Sequence, residues 1–147
     1  MFVCLGNICR SPIAQGYAEK LAKEYSLDLQ ISSSGTGNWH IGEAPCPNSV
    51  KVCQQNNIDI SNYQASQFLK KDINSYDLII ALDEKNLQDL KSIGVKNVVK
   101  LGNYGYDAQD VPDPYFFDGF EGFDKVFTMI EECITNLLKE EGLITKK

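Results

Sequence analysis

The chain has 147 residues, 43% of them hydrophobic and 23% charged. That balance gives one globular domain with its own core and excludes a disordered chain or two ordinary domains. No apolar run of about 18 residues and no secretory leader pattern occurs, so the cytoplasm is the expected compartment. The net charge of −6, with no cluster of Lys and Arg, repels nucleic acid and anionic lipid, so any bound anion must be captured locally.

In chain order, Phe2-Val3 reads as a strand end, with Cys4 at its carboxyl edge. The spacing of Ile13, Tyr17, Ala18 and Leu21 predicts a helix over 12–25. Residues 27–33 alternate as a short strand, and 35–47 form a loop broken by glycines and two prolines. A helix over 48–56 and a weaker one over 66–74 follow. The run at 77–82 is apolar enough for a strand buried on both faces. Residues 84–93 form a helix closed by Gly94, and 97–101 a fourth strand. A loop over 102–119 leads to a last helix over 120–140, with Phe123, Phe127, Ile130, Ile134, Leu137 and Leu138 in one stripe. Cys133 beside that stripe reads as an inert core residue. The order predicts a single α/β domain over 1–147: a four-stranded parallel sheet with helices on both faces, flavodoxin-like. Active sites in such sheets lie at the carboxyl ends of the strands.

Five cysteines (Cys4, Cys9, Cys46, Cys53, Cys133) are an odd number in a chain with a core, so free thiols are expected rather than a disulfide framework. His40 is the only histidine, so a Cys/His zinc site cannot be assembled and no metal is expected. A Cys-His protease would have to use His40 without an obvious third member.

The segment CLGNICRSP carries the chemistry. A strand stops, a loop turns, and Ser11-Pro12 reads as a helix start, Ser as N-cap and Pro at the first helical position. Gly6 and Asn7 tolerate the positive φ of a tight loop. Successive N–H groups can then converge at the positive end of a helix dipole, an anion nest. Arg10 adds a planar fork for two phosphate oxygens. The same field favours a thiolate at Cys4, so nucleophile and phosphate seat come together without a histidine base. No Walker-type Gly-Lys-Ser/Thr is present, which disfavours a nucleotide triphosphatase.

CLGNICRSP, with SSGTGNWHIGEAP, ALDEKN and VPDPYF, resembles the low-molecular-weight protein tyrosine phosphatases over nearly the whole chain. The resemblance implies hydrolysis of aryl phosphate monoesters through a cysteinyl phosphate on Cys4, with no cofactor. It implies that Arg10 and the loop residues Leu5, Gly6, Asn7, Ile8, Cys9 and Ser11 bind phosphate, Ser11 also assisting the sulfur. Asp113 lies between Pro112 and Pro114, which keep it out of a helix. Alone it reads equally as a turn residue; the resemblance implies the general acid. It also implies substrate walls at Trp39, Tyr115 and Phe116, and a partnership of Asn7 with Ser33. Asp83 reads as a pocket brace or as the N-cap of the next helix. Ile8 stands where a related branch acting on phosphoarginine has threonine, which favours phosphotyrosine. Cys9, five residues after Cys4, reads as a packing residue or as the partner in a reversible Cys4–Cys9 disulfide. The implied partner is a phosphotyrosine protein or peptide, a tyrosine kinase among the candidates, with neither nucleic acid nor membrane, and the enzyme a monomer.

Four departures stand out. The first strand has only about three residues before Cys4. Cys46-Pro47-Asn48 replaces an Asp-x-Arg common in relatives. Tyr63 stands where many relatives have a histidine that supports the loop, its hydroxyl a substitute hydrogen-bond partner, and Phe116 where a second tyrosine is common. A thiol-dependent arsenate reductase on the same fold would need two relay cysteines, for which Cys46 and Cys53 are suitably spaced from each other. A non-catalytic phosphotyrosine-binding module would need neither thiol nor acid.

Overall fold

The computed structural model describes residues 1–112 and 120–144. Four three-residue strands, β1 (Phe2–Cys4), β2 (Ser33–Gly35), β3 (Ile79–Ala81) and β4 (Val98–Lys100), pair in the order β2-β1-β3-β4. All pairings are parallel, so every carboxyl end lies along one edge of the sheet. The order 2-1-3-4 is that of flavodoxin-like sheets. Four α-helices connect or cover the strands: α1 (Arg10–Glu24), α2 (Pro47–Gln55), α3 (Glu84–Ser92) and α4 (Glu121–Glu140).

Successive strand side chains point to opposite faces, and the core divides accordingly. Phe2, Cys4, Ile80 and Leu82 pack on the side of α1, α2 and α4, while Val3, Ile79 and Ala81 meet Phe68, Leu90 and Val95 on the other. The α4 stripe is fully engaged, with Ile130 and Ile134 at 0% exposure. A buried Leu or Ile contributes about 1.5–3 kcal/mol, an exposed helix pair such as Lys85–Asp89 only about 0.3–0.5 kcal/mol. The apolar stripe therefore holds the last helix in place.

The sequence reading differs at three points. The second strand lies at 33–35, not 27–33. Leu27 and Ile31 pack against the core from outside the sheet, and pairing is taken by the small residues Ser-Ser-Gly, register Cys4↔Gly35. At Gly35 there is no room for a side chain beside the loop after Cys4: a Cβ there would lie 2.7 Å from the Leu5 carbonyl oxygen. The segment expected to be helical over 66–74 is a 3-10 turn, Lys70–Asn74. Phe68 N–H is given to Gly35 O at 2.7 Å, and Asp72 accepts the Leu69 N–H at 2.9 Å, so the earlier residues are held extended. Finally, α1 begins at Arg10, so Ser11 and Pro12 lie within its first turn and Ser11 does not cap it. Proline is tolerated there because first-turn N–H groups have no intrahelical acceptor.

Gly16 sets the approach of α1 to residues 58–60. A Cβ there would lie 2.6 Å from Ile60 Cγ2 and 2.9 Å from Ile58 Cγ2. Gly16→Val is expected to destabilise the fold by about 1–3 kcal/mol through overpacking, measured by urea unfolding. Unchanged stability would show that the two segments are not closely packed.

Candidate active site

Cys4 ends β1 with 2% exposure. Its Sγ lies 3.0 Å from Ser11 Oγ and accepts the Asn7 N–H at 3.3 Å. The turn that returns the chain to the sulfur is made by Asn7, at φ 58. Gly6 has no positive φ, so asparagine and not glycine takes the left-handed conformation. Asn7 Nδ2 donates to Ser11 Oγ at 2.7 Å and to Ser33 Oγ at 3.0 Å, and its Oδ1 accepts the Ser66 N–H at 2.9 Å. Ser33 Oγ in turn donates to Gln15 Oε1 at 2.6 Å. The strained residue is thus tied to α1, β2 and the stretch after residue 63.

The loop carbonyls are taken up by the surroundings. Thr36 N–H donates to Cys4 O at 2.9 Å, Gly37 N–H to Leu5 O at 2.8 Å, and Cys46 N–H to Ile8 O at 2.7 Å. Ser49 Oγ donates to Cys9 O at 3.0 Å. No described peptide is cis, and in a trans peptide the N–H points opposite to its C=O. The N–H groups of Leu5, Gly6, Cys9 and Arg10 are therefore turned away from these neighbours. Those opening α1 add the positive end of its dipole. The arrangement suits a bound oxyanion beside the sulfur.

Arg10 is buried, at 3% exposure, and its Nη1 donates to Asp83 Oδ2 at 2.6 Å and to Val111 O at 3.0 Å. The other carboxylate oxygen of Asp83 accepts the Asn86 N–H at 2.7 Å. Asp83 therefore caps α3 with one carboxylate oxygen and pairs with Arg10 through the other.

At the rim, Trp39 is 66% and Leu5 39% exposed. The indole lies on the backbone of Gly37, where a Cβ would run into the ring. His40 faces Gly6, its Cδ2 3.0 Å from where a Cβ would be, and its Nδ1 lies 3.0 Å from Glu43 Oε2. Ile8 is half-buried in the loop. Asp113, Tyr115 and Phe116 lie outside the described residues. Tyr63 does not reach Asn7; its hydroxyl donates to Glu19 at 2.7 Å, and burial with this carboxylate pushes its pKa up. The loop support sought at Tyr63 comes from the Ser66 amide, a backbone group that carries no sequence signal.

The expectation of free thiols is corrected for Cys9 and Cys46, and of the two readings of Cys9 the structure has neither the Cys4–Cys9 pair nor a merely packed thiol. Cys9 forms a disulfide with Cys46, with Cα atoms 5.3 Å apart, while Cys4, Cys53 and Cys133 are free. The start of α2 packs on the loop through the Cys46 N–H and Ser49, which brings Cys46 to Cys9, whereas Cys4 Sγ is turned to Ser11 and Asn7. Burial pushes the thiols of Cys53 and Cys133 up to about 12, which leaves them inert. No group of residues suited to a metal ion occurs among the described residues, and no helix there is long and apolar enough to cross a membrane.

The family model described as low molecular weight phosphotyrosine protein phosphatase matches residues 1–146. A Staphylococcus aureus low molecular weight protein-tyrosine-phosphatase, PtpA, is 34% identical over 97% of this chain and 95% of its own length. Among solved structures, YfkJ from Bacillus subtilis superposes with TM-score 0.88 at 33% identity, covering 99% of this chain and 94% of that one. A Drosophila arginine phosphatase superposes with TM-score 0.90 at 26% identity over 95% of each chain.

The disulfide closes 37 residues of separation, and such a link typically contributes about 2–4 kcal/mol. A thermal melt with reductant is expected to fall below the melt without it, and Cys46→Ser should remove the difference. Peptide mapping under non-reducing conditions should recover residues 9 and 46 as one linked pair. Recovery of a Cys4–Cys9 link instead would contradict the geometry.

Proposed function

The chain belongs to the low molecular weight phosphotyrosine protein phosphatase family and is an enzyme of that class, and from this we propose a mechanism through a cysteinyl phosphate on Cys4. The substrate's phosphate sits against the loop amides of residues 5–10, and the Arg10 guanidinium addresses its equatorial oxygens. Cys4 thiolate attacks phosphorus, and the bond from phosphorus to the aryl oxygen breaks. The Asp113 carboxylic acid gives its proton to that oxygen, so a neutral phenol leaves. Asp113 carboxylate then takes a proton from water as the water oxygen attacks phosphorus. The sulfur–phosphorus bond breaks, inorganic phosphate leaves, and the Ser11 hydroxyl stabilises the returning thiolate.

The observation that carries the reading is the placement of the sulfur: buried at the sheet edge, hydrogen-bonded to the Asn7 amide and beside Ser11. The brace from Asp83 and Val111 supports the role of Arg10, because a fixed guanidinium costs no reorganisation when charge develops. Trp39 and Leu5, exposed beside the loop, suit a substrate ring, with Tyr115 and Phe116 proposed as further walls. The substrate is a phosphotyrosine protein or peptide. The likeness to an arginine phosphatase makes phosphoarginine the competing substrate, and the apolar Ile8 favours the aromatic one.

Cys4→Ser is expected to abolish turnover of phosphotyrosine peptides while phosphate still binds, read by isothermal calorimetry. Full activity in that variant would end the proposal. Asp113→Asn should slow phenyl phosphate hydrolysis by about 10²–10⁴-fold and slow dinitrophenyl phosphate least, because that leaving group needs no proton. Turnover of a phosphoarginine peptide faster than its phosphotyrosine counterpart would overturn the substrate assignment.

A further inference from the structure

The chain is gripped just before it reaches Asp113. Leu82 O, at the end of β3, accepts the Val111 N–H at 2.8 Å. Asp83 reaches the same residue through Arg10, whose Nη1 donates to Val111 O at 3.0 Å. The Glu84 N–H, at the start of α3, donates to Asp110 Oδ1 at 2.9 Å. Three successive residues at the β3–α3 junction thus each hold residue 110 or 111, and one of the three links passes through the arginine proposed to bind phosphate.

Asp110 has a second partner. Lys100, the last residue of β4, is 8% exposed, and its Nζ lies 3.1 Å from Asp110 Oδ1 and 3.2 Å from Glu84 Oε1. A lysine buried to this degree is held by its carboxylates, and removal of one leaves a charge poorly compensated. Upstream the chain is equally confined: a Cβ on Gly102 would run into Gln109 O, and Ala108 N–H donates to Gly102 O at 3.1 Å. Val111 itself is fully buried. An ordinary surface turn would need none of this.

We infer that Asp110, clamped between Lys100 and the Glu84 amide, is a positioning residue for the general acid, because it fixes the chain at residues 110–111, from which Asp113 follows. The inference rests on the assignment of Asp113 as acid. It has a direct physical consequence. Acid catalysis depends on reach to the leaving oxygen, and a misplacement of about 1 Å can cost about 100-fold. Nucleophilic attack and phosphate binding depend on the loop at Cys4, which Asp110 does not touch.

The test compares two esters. In Asp110→Ala and Lys100→Met, kcat for phenyl phosphate is expected to fall by about 10–100-fold, while kcat for dinitrophenyl phosphate and inhibition by inorganic phosphate stay within about threefold of the parent. Asp110→Asn, which keeps an acceptor for the Glu84 amide, should fall between. If Asp110→Ala does not fold, Lys100→Met carries the same comparison. Equal losses on both esters, or none on either, would overturn the inference. Asp113→Asn is run alongside: if it lacks the ester-dependent loss, the acid assignment itself fails, and the inference with it. If Asp113→Asn shows that loss and the Asp110 and Lys100 variants do not, only the inference fails.

Discussion

A peptide loop can hold a multiply charged anion only if its carbonyls are bonded elsewhere, because each one facing inward would repel what the amides attract. In this protein the carbonyls of Cys4, Leu5, Ile8 and Cys9 are each bonded by a neighbouring donor. Those donors come from the loop after β2 and from the start of α2, distant in sequence and adjacent in space. The left-handed turn at Asn7 allows the reversal, and its side chain joins the loop to Ser11, Ser33 and Ser66. The site is consequently a product of the whole carboxyl edge of the sheet and not of nine consecutive residues.

The same edge explains why charge can be captured by an acidic chain. With a net charge of −6, the long-range field opposes an anion, and surface steering contributes nothing favourable. Short-range groups would have to supply the attraction, and a dipole in a buried site acts in a lower effective dielectric. Arg10 is kept there by Asp83, which is itself fixed by capping α3. A buried arginine without a carboxylate would be costly. Pairing it with Asp83 makes its burial tolerable.

Cysteine usage follows from the packing as well. The helix α2 docks on the loop and brings Cys46 to Cys9, which joins the loop after Cys4 covalently to a segment 37 residues away. Cys4 is kept out of that bond by its own partners, Ser11 and the Asn7 amide. Cys53 and Cys133 are simply core residues.

Much of the architecture was legible because it depends on periodicity. The apolar stripe of α4, the buried run that becomes β3, and the punctuation by Gly94 are local patterns, and they specified helices, strands and the parallel order without reference to anything distant. The CLGNICRSP segment was legible for the same reason, since strand, turn and helix start lie within one short stretch. The tertiary structure alone decided that β2 is Ser33–Gly35, because the pairing with β1 and the nearness of the Leu5 carbonyl to Gly35 are contacts across the sheet edge. It alone decided that Cys9 pairs with Cys46, that Ser66 supports Asn7 through a backbone amide, and that Lys100 and Asp110 meet beside Glu84. A chain records spacing along itself; distances across the sheet edge exist only once the strands have paired.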